Sequence, residues 1–383
     1  MKLVHIADTH LGLSQFQKVD PDSGMNLREK LIYSHFLDAI DRIVSLRPDV
    51  VVHAGDLFDQ VRPKTMAYMT ALEAIDRLSA AGIPLVLISG NHSMPKTRYT
   101  PSPFRVLEFH HGELHAAYSY RYERVELGEA VFHLIPNMLR PEHYREAYDS
   151  IVPDRNRYNV LVTHGLSSTL KEKRLNTVAE HEIDSTMVTG GSTFDYIALG
   201  HYHGQVRVGE KAWYSGSLEY LTYGEAEDQK GGIVVDLAKK TTSHLPLPHT
   251  PLVKLDTIDA REVPPAEVPG IIRRRIEENC VPPLSMVTVT VCFPDREHQR
   301  QLAQRDLSEI RRTMLDLKVQ ARVPGEYRRA SENRDIKSLD YLAEYARFVS
   351  GKNMGTDDMN FVRDYGSRAI AIALQEEGER GAD

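Results

Sequence analysis

Through the first half of the chain, short apolar runs alternate with stretches of helical spacing. Residues 3–7, 50–54, 83–89, 160–163 and 196–199 are near-continuous apolar runs with the length of buried strands. Between the first two runs, Leu27, Leu31, Ile40 and Val44 recur at helical intervals. Met69, Leu72, Ile75 and Leu78 do the same between the second and third. Gly82 then stands where a helix C-terminal cap is expected. Strand–helix–strand alternation predicts an α/β layered domain.

The pattern changes at 241–252, where TTSHLPLPHTPL marks a boundary with three prolines. Beyond it the spacing predicts strands over 253–255, 286–293 and 317–323 and helices over 268–278 and 298–314, a compact second domain. A polar stretch follows Pro324-Gly325, and then two helices are expected over 339–349 and 359–374. A length of 383 residues accommodates two or three such units.

Composition narrows the class. A hydrophobic fraction of 41% and a charged fraction of 26% belong to a soluble globular protein. Cys280 and Cys292, the two cysteines, form no CxxC pair, which excludes a disulfide framework and a zinc–thiolate site. The N-terminus lacks the apolar length of a signal peptide, and no run of 18 apolar residues occurs, so a cytoplasmic protein that spans no membrane is expected. A net charge of −7 argues against a basic nucleic-acid coat. Locally, 296–329 carries nine basic against five acidic side chains, and Arg273, Arg274 and Arg275 form a cluster. On charge alone a solvated helix face explains this somewhat better than phosphate contact.

Five short motifs each follow one of the predicted strands: Asp8-Thr9-His10, Gly55-Asp56, Gly90-Asn91-His92, His164-Gly165 and Gly200-His201-Tyr202-His203. In open α/β sheets ligands bind beyond the carboxyl ends of the strands, so five segments bring polar side chains to one crevice. Carboxylate, amide oxygen and imidazole together suit a pair of divalent ions, whether manganese, iron or zinc. Asp8 and His10, two apart on an extended chain, would face one side and reach one ion, and His201 and His203 would do likewise. Asp56 can bridge with its two oxygens, and Asn91 adds a neutral carbonyl oxygen. Flanking glycines permit sharp backbone turns. A lone DxH or HxH is more often a surface histidine; five motifs in this order define a metal site.

The order DxH, GD, GNH, H and GHxH resembles the calcineurin-like metallophosphoesterase superfamily. HIADTHLG, GDLFDQVRP and WYSGSLEYLTYGEAEDQKGG resemble segments of its SbcD-type double-strand-break repair nucleases. The similarity covers most of residues 1–236. It implies a four-layer α/β/β/α metallophosphoesterase sandwich over 1–250. A small α/β DNA-binding cap would occupy 251–325, and a C-terminal helix pair over 326–383 would dock an SbcC-type coiled-coil ATPase. By the same resemblance Asp8, His10, Asp56 and His203 hold one ion, and Asp56, Asn91, His164 and His201 the other. His92 stabilises the transition state or protonates the leaving oxygen. Two divalent ions, manganese expected, would be the cofactors. Arg273, Arg274, Arg311 and Arg312 would meet DNA. Met66, Tyr68, Met69 and Leu107 correspond to the family's homodimer surface, although packing on the sheet fits them equally well. Leu342, Tyr345, Ala346 and Val349, with Phe361, Tyr365, Ala369 and Ile372, form apolar stripes on the two tail helices.

In one place the chain departs from the family. Ser93 follows His92 where an acidic residue is usual, which leaves the support of that imidazole open. The implied activity is 3′-to-5′ exonuclease action on duplex ends and endonuclease action on single strands. The alternatives are a small-nucleotide phosphodiesterase or phosphatase of the same superfamily and, with intact ligands against it, a non-catalytic scaffold.

Overall fold

The computed structural model describes residues 1–95, 100–110, 112–167, 170, 182–189, 193–302, 304–324, 341–350 and 359–370. It divides into two compact units, one of Met1–Cys292 with Glu297–Ala321 and one of Phe293–Arg296 with Arg322–Asp383.

Two six-stranded sheets make up most of the first unit. In one, β1 (Lys2–Ile6), β2 (Val50–His53), β3 (Leu85–Ile88) and β4 (Leu114–Ala117) run parallel, and β13 (Gly232–Asp236) and β14 (Thr241–Leu245) complete the β1 edge in antiparallel fashion. The other orders β11 (Val206–Arg207), β12 (Ala212–Tyr214), β10 (Tyr196–Gly200), β7 (Tyr158–His164), β6 (Ala130–Ile135) and β5 (Glu123–Leu127). Its β6, β7, β10 and β12 are parallel. A short parallel pair, β8 (Leu166–Ser167) and β9 (Glu182–Ile183), lies beside it in the chain.

Three apolar layers hold these sheets. Val50, Val52, Val86 and Ile88 of the first sheet pack with Phe132, Leu134, Val160 and Ala198 of the second, all buried. The outer face of the first sheet is covered by α1 (Leu27–Ser45) and α2 (Thr65–Ala80). On α1 the buried Ile32, Phe36, Ile40 and Ile43 recur at the three-to-four-residue spacing that makes one stripe. The outer face of the second sheet packs on α4 (Pro141–Asp149) and α5 (Ser185–Thr189) through Tyr144, Ala147, Met187 and Val188. The resulting order, helix–sheet–sheet–helix, is the expected four-layer α/β/β/α sandwich.

Local signals fix the ends of these elements. Asn26 caps α1, its Oδ1 accepting from the Glu29 N–H at 3.1 Å. Gly82 ends α2 as read from the sequence: at φ +70° its N–H reaches Ser79 O, and Ile83 N–H reaches Leu78 O, the paired bonds of a Schellman turn. The short α3 (Phe104–Leu107) corrects one expectation. Leu107 is fully buried in the α1/α2 core and offers nothing to a partner, whereas Val106 and Phe109 beside it are 45% and 79% exposed. Of the two readings left open for Met66 and Met69, packing on the sheet fails, since both are exposed, and Tyr68 packs on Phe58 with ring centroids 5.2 Å apart.

The same unit continues into a three-stranded sheet of β15 (Leu252–Asp259), β16 (Met286–Cys292) and β17 (Asp316–Arg322). With it come α6 (Val268–Glu278), α7 (Arg296–Gln301) and α8 (Gln304–Thr313). The single helix expected over 298–314 is thus two, and the break adjoins the buried Leu302. Arg273, Arg274 and Arg312 are exposed and Arg311 half-buried; Arg273 pairs with Glu309 at 2.9 Å. Polar contacts and an apolar cluster around Leu252, Met286 and Leu315 tie this sheet to the sandwich. Lys18 Nζ donates to Arg311 O at 3.0 Å and Arg312 O at 2.7 Å, satisfying carbonyls at the end of α8. The Tyr223 hydroxyl donates to Asp316 Oδ2 at 2.5 Å.

In the second unit, α9 (Tyr341–Ser350) and a helix over 359–370 are described; Ile372 lies outside the described residues. Tyr345 donates to Val362 O at 2.8 Å, and Val349 is buried. Phe361 and Tyr365, stacked on each other, are 71% and 70% exposed.

A buried ion pair joins α1 to the chain that leaves the sandwich. Arg28, fully buried, donates to Glu219 Oε2 at 2.8 Å, Thr250 Oγ1 at 2.6 Å and Tyr220 O at 2.7 Å. Burial works against the Glu219 carboxylate, but Arg28 and His35 hold its pKa at about 2, below the ordinary 4.5. The stabilisation is therefore fully present above pH 4.5 and is lost as the pH falls from there towards about 2. Glu219→Gln leaves Arg28 buried without its counter-charge. It is expected to cost ~3–5 kcal/mol at pH 7 and to flatten the acid limb of the stability curve, both read from urea unfolding at a series of pH values.

Candidate metal centre

All five motifs follow carboxyl ends of parallel strands, three in one sheet and two in the other. The loops interlock by backbone hydrogen bonds. Asp8 N–H donates to Gly55 O, His10 N–H to Asp56 O and Leu11 N–H to Leu57 O, at 2.8–3.0 Å. The sheets meet at Gly200, where a Cβ would stand 2.0 Å from Ala54 O and 2.8 Å from His164 Nδ1. Only glycine lets β10 pass that closely.

Four of the proposed ligands sit in left-handed backbone: Asp8 (φ 52°), His10 (φ 46°), Asp56 (φ 52°) and His201 (φ 100°). This corrects the extended-chain reading of the DxH and HxH pairs. Such conformations cost ~1–3 kcal/mol each and persist where the surroundings over-determine them, typically at functional sites. Here the two aspartates do so by accepting backbone donors from neighbouring loops. Both Asp8 oxygens lie 3.0 Å from His201 N, and Asp56 Oδ1 accepts from His92 N–H at 2.9 Å.

The side chains converge in two adjoining groups. Asp8, His10 and His203 place one ligand atom each within 4.8 Å of one another, as do Asp8, Asp56 and His164. Asn91 Oδ1 lies 3.0 Å from His164 Nε2 and 3.1 Å from His201 Nδ1, and His164 Nε2 is 3.2 Å from Asp56 Oδ2. His164 Nδ1–H donates to Ala54 O at 2.9 Å, which directs Nε2 at Asn91 and Asp56. The structure thus brings together all seven residues read as ligands, with His203 beside Asp8 and His10, and His201 beside Asn91.

The electrostatics are those of a cation site. Burial pushes the Asp8 carboxyl up, against the pull of His164 and His203. Asp56 goes the other way: burial opposes it, yet His164, His10 and His92 hold its carboxyl far below the carboxylate range. His164 answers to about 9, because the Asp56 carboxylate outweighs burial. His201, buried and next to His164, drops to about 3. His10, 2% exposed, has neither ring nitrogen hydrogen-bonded. Two buried carboxylates, an amide oxygen and unpartnered imidazole nitrogens fit divalent cations, which would satisfy atoms that are otherwise costly to bury.

His92 is exposed at the rim, its ring 4.7 Å from that of His10. Its Nδ1–H donates to Asp59 O at 2.8 Å. The imidazole is therefore oriented by a backbone carbonyl, and Ser93, fully buried with its hydroxyl 3.3 Å from Phe58 O, is not needed for that purpose. Sequence reading did not find Asp59, whose carboxylate is 3.4 Å from His10 Nδ1 and which forms a third group with His10 and His92. It lies three residues after Asp56 in GDLFD, a spacing that was a usable signal. Nor did it find Glu225, 3.2 Å from His203 Nδ1. His53, buried beside the site, meets the Thr9 hydroxyl at 3.1 Å.

A layered α/β sandwich with such a donor set at its strand ends defines the class of metal-dependent phosphoester hydrolases. The chain belongs to the calcineurin-like phosphoesterase family, whose model matches residues 1–205. It is similar to proteins named "DNA double-strand break repair protein Mre11". One, from Methanococcus maripaludis, is 30% identical over 241 residues, 60% of each chain. Another, from Sulfurisphaera tokodaii, is 28% identical over 248 residues, 62% of this chain and 60% of that one. A third, from Methanocaldococcus jannaschii, is 40% identical over 108 residues, 28% of each. The match to the first two spans about three fifths of their length.

Gly200→Ala should force the two sheets apart at the site. It is expected to cost ~3 kcal/mol or more in urea unfolding and to abolish binding of divalent cations, read by titration calorimetry. Gly270→Ala is the control, because a methyl there meets nothing within 4 Å; inside α6 it should stabilise by up to ~1 kcal/mol.

Proposed function

We propose that the chain is a two-metal phosphodiesterase that cuts DNA, the nuclease subunit of a double-strand-break repair assembly. The convergence of seven donor side chains on one edge of the sandwich carries this reading. Asp8, His10, Asp56 and His203 would hold one cation, and Asp56, Asn91, His164 and His201 the other, with manganese the expected metal. A divalent pair in such a site supplies charge neutralisation at phosphorus and a water activated for in-line attack. The chain's own residues do the rest. Asp56, which would serve both cations, aligns His92 by accepting its backbone N–H. His92, held at Nδ1 by the Asp59 carbonyl, turns its other nitrogen to the substrate, where it protonates the leaving oxygen or stabilises the phosphorane.

The names of the relatives support DNA as the substrate; 3′-to-5′ exonuclease action on duplex ends and endonuclease action on single strands are carried over from the resemblance of the motifs alone. Within a cap over 251–325, Arg273, Arg274, Arg311 and Arg312 are offered to the phosphate backbone, which they would position without reading its sequence. The exposed Met66, Met69, Val106 and Phe109 support a homodimer surface, and Phe361 and Tyr365 support a tail over 326–383 that docks a coiled-coil ATPase.

The test is hydrolysis of end-labelled duplex DNA with manganese, beside a small chromogenic phosphodiester. The wild type should degrade the DNA. His92→Ala should lose ~10²–10⁴-fold in rate while still binding two cations, and Asp56→Ala should lose both activity and cations. Cleavage of the small ester alone, with the ATPase supplied, would transfer the chain to the small-substrate phosphodiesterases. A chain ended at Gly325 should keep small-ester hydrolysis and lose ATPase binding in a pull-down.

A further inference from the structure

Behind the Asp8/His10/His203 group lies a buried pair of opposite charges. Glu225, 8% exposed, places Oε1 3.2 Å from His203 Nδ1 and accepts there also from the Thr222 hydroxyl at 3.1 Å. Its Oε2 accepts from Leu221 N–H at 3.0 Å and from Lys230 Nζ at 2.7 Å. The Lys230 side chain is wholly buried. Its ammonium donates in addition to His203 O and to Ser217 Oγ, each at 2.9 Å, and lies 5.0 Å from the centre of the Tyr220 ring.

Burying a lysine and a glutamate side by side is a poor route to stability, since desolvation consumes most of the attraction. Here, however, the pair grips one histidine at two points, its ring through Glu225 and its backbone carbonyl through Lys230. The backing is of a different kind from that of His164 and His92. His164 and His92 give their Nδ1–H to neutral backbone carbonyls, of Ala54 and Asp59.

We propose that Glu225 and Lys230 are positioning residues for His203. The carboxylate takes the Nδ1–H, which fixes the tautomer, leaves the Nε2 lone pair for the cation and makes that nitrogen more basic; Lys230 balances the carboxylate and pins the backbone. This rests on reading the site as a metal centre. A carboxylate behind a ligand histidine typically accounts for 10–100-fold in metal affinity.

The experiment is titration of the full chain with manganese(II), followed by electron paramagnetic resonance, for the wild type, Glu225→Ala, Glu225→Gln and Lys230→Met. Circular dichroism checks that each is folded. Nitrogen-15 spectra of the histidines, with the His203 signal assigned from His203→Ala, report its tautomer. In the Glu225 variants one of the two manganese equivalents should weaken ~10–100-fold, the other should hold its affinity, and His203 should gain the Nε2–H tautomer. Glu225→Gln keeps the shape of the side chain, so a folded Gln variant that binds both ions as the wild type does, with His203 unchanged, would overturn the proposal and leave the metal centre standing. A wild type that bound no manganese would overturn both.

Discussion

The approach of Gly200 to the carbonyl of Ala54 is the constraint on which the site depends. Two sheets packed face to face would ordinarily keep their strand ends some 10 Å apart. Here β10 comes close enough for His164 to donate across the gap to Ala54 and for His201 N–H to reach Asp8. Ligands from one sheet can then share space with ligands from the other. The interlocked loops after β1 and β2 hold the opposite wall, and their left-handed residues turn Asp8, His10 and Asp56 inward.

That inward turn shows where the sequence was readable and where it was not. The strands that bear ligands announced themselves as apolar runs, and their motifs fell at the carboxyl ends because that is where parallel strands give way to loops. Leu107 misled because an apolar residue on a four-residue helix has no periodicity from which to infer its face. The left-handed conformations at Asp8 and His10 were hidden because non-glycine residues give no local sign of them; they are imposed by hydrogen bonds to Gly55 and Asp56, far away in the chain. Glu225 and Lys230 were hidden for the same reason, since the value of a carboxylate depends on which imidazole it meets. Ser93 in place of an acidic residue could be read from the sequence, but the hydrogen bond from His92 to the Asp59 carbonyl could not.

The buried charges divide into two kinds. Arg28 and Glu219 compensate each other at the root of the segment that leaves the sandwich, and their contribution is to stability. Among the described residues, only protonated imidazole stands beside Asp8 and Asp56 as an internal cation. On the proposed reading a divalent cation would balance these carboxylates. Such a centre couples ligand binding to rigidity, because the ion and the loops that surround it are ordered together.

Lys18 stands between the loop after the DxH motif and the carbonyls that close α8. A side chain of fixed covalent length spans that interval, with Tyr223 and Asp316 as a second tie. With the apolar contacts of Leu252, Met286 and Leu315 on Phe16, Leu27 and Tyr223, these bonds hold the end of α8 against the body that carries the ligand cluster. On the proposed reading, a polyanion that met Arg312 would thus lie against an element that Lys18 holds to the loop after the DxH motif.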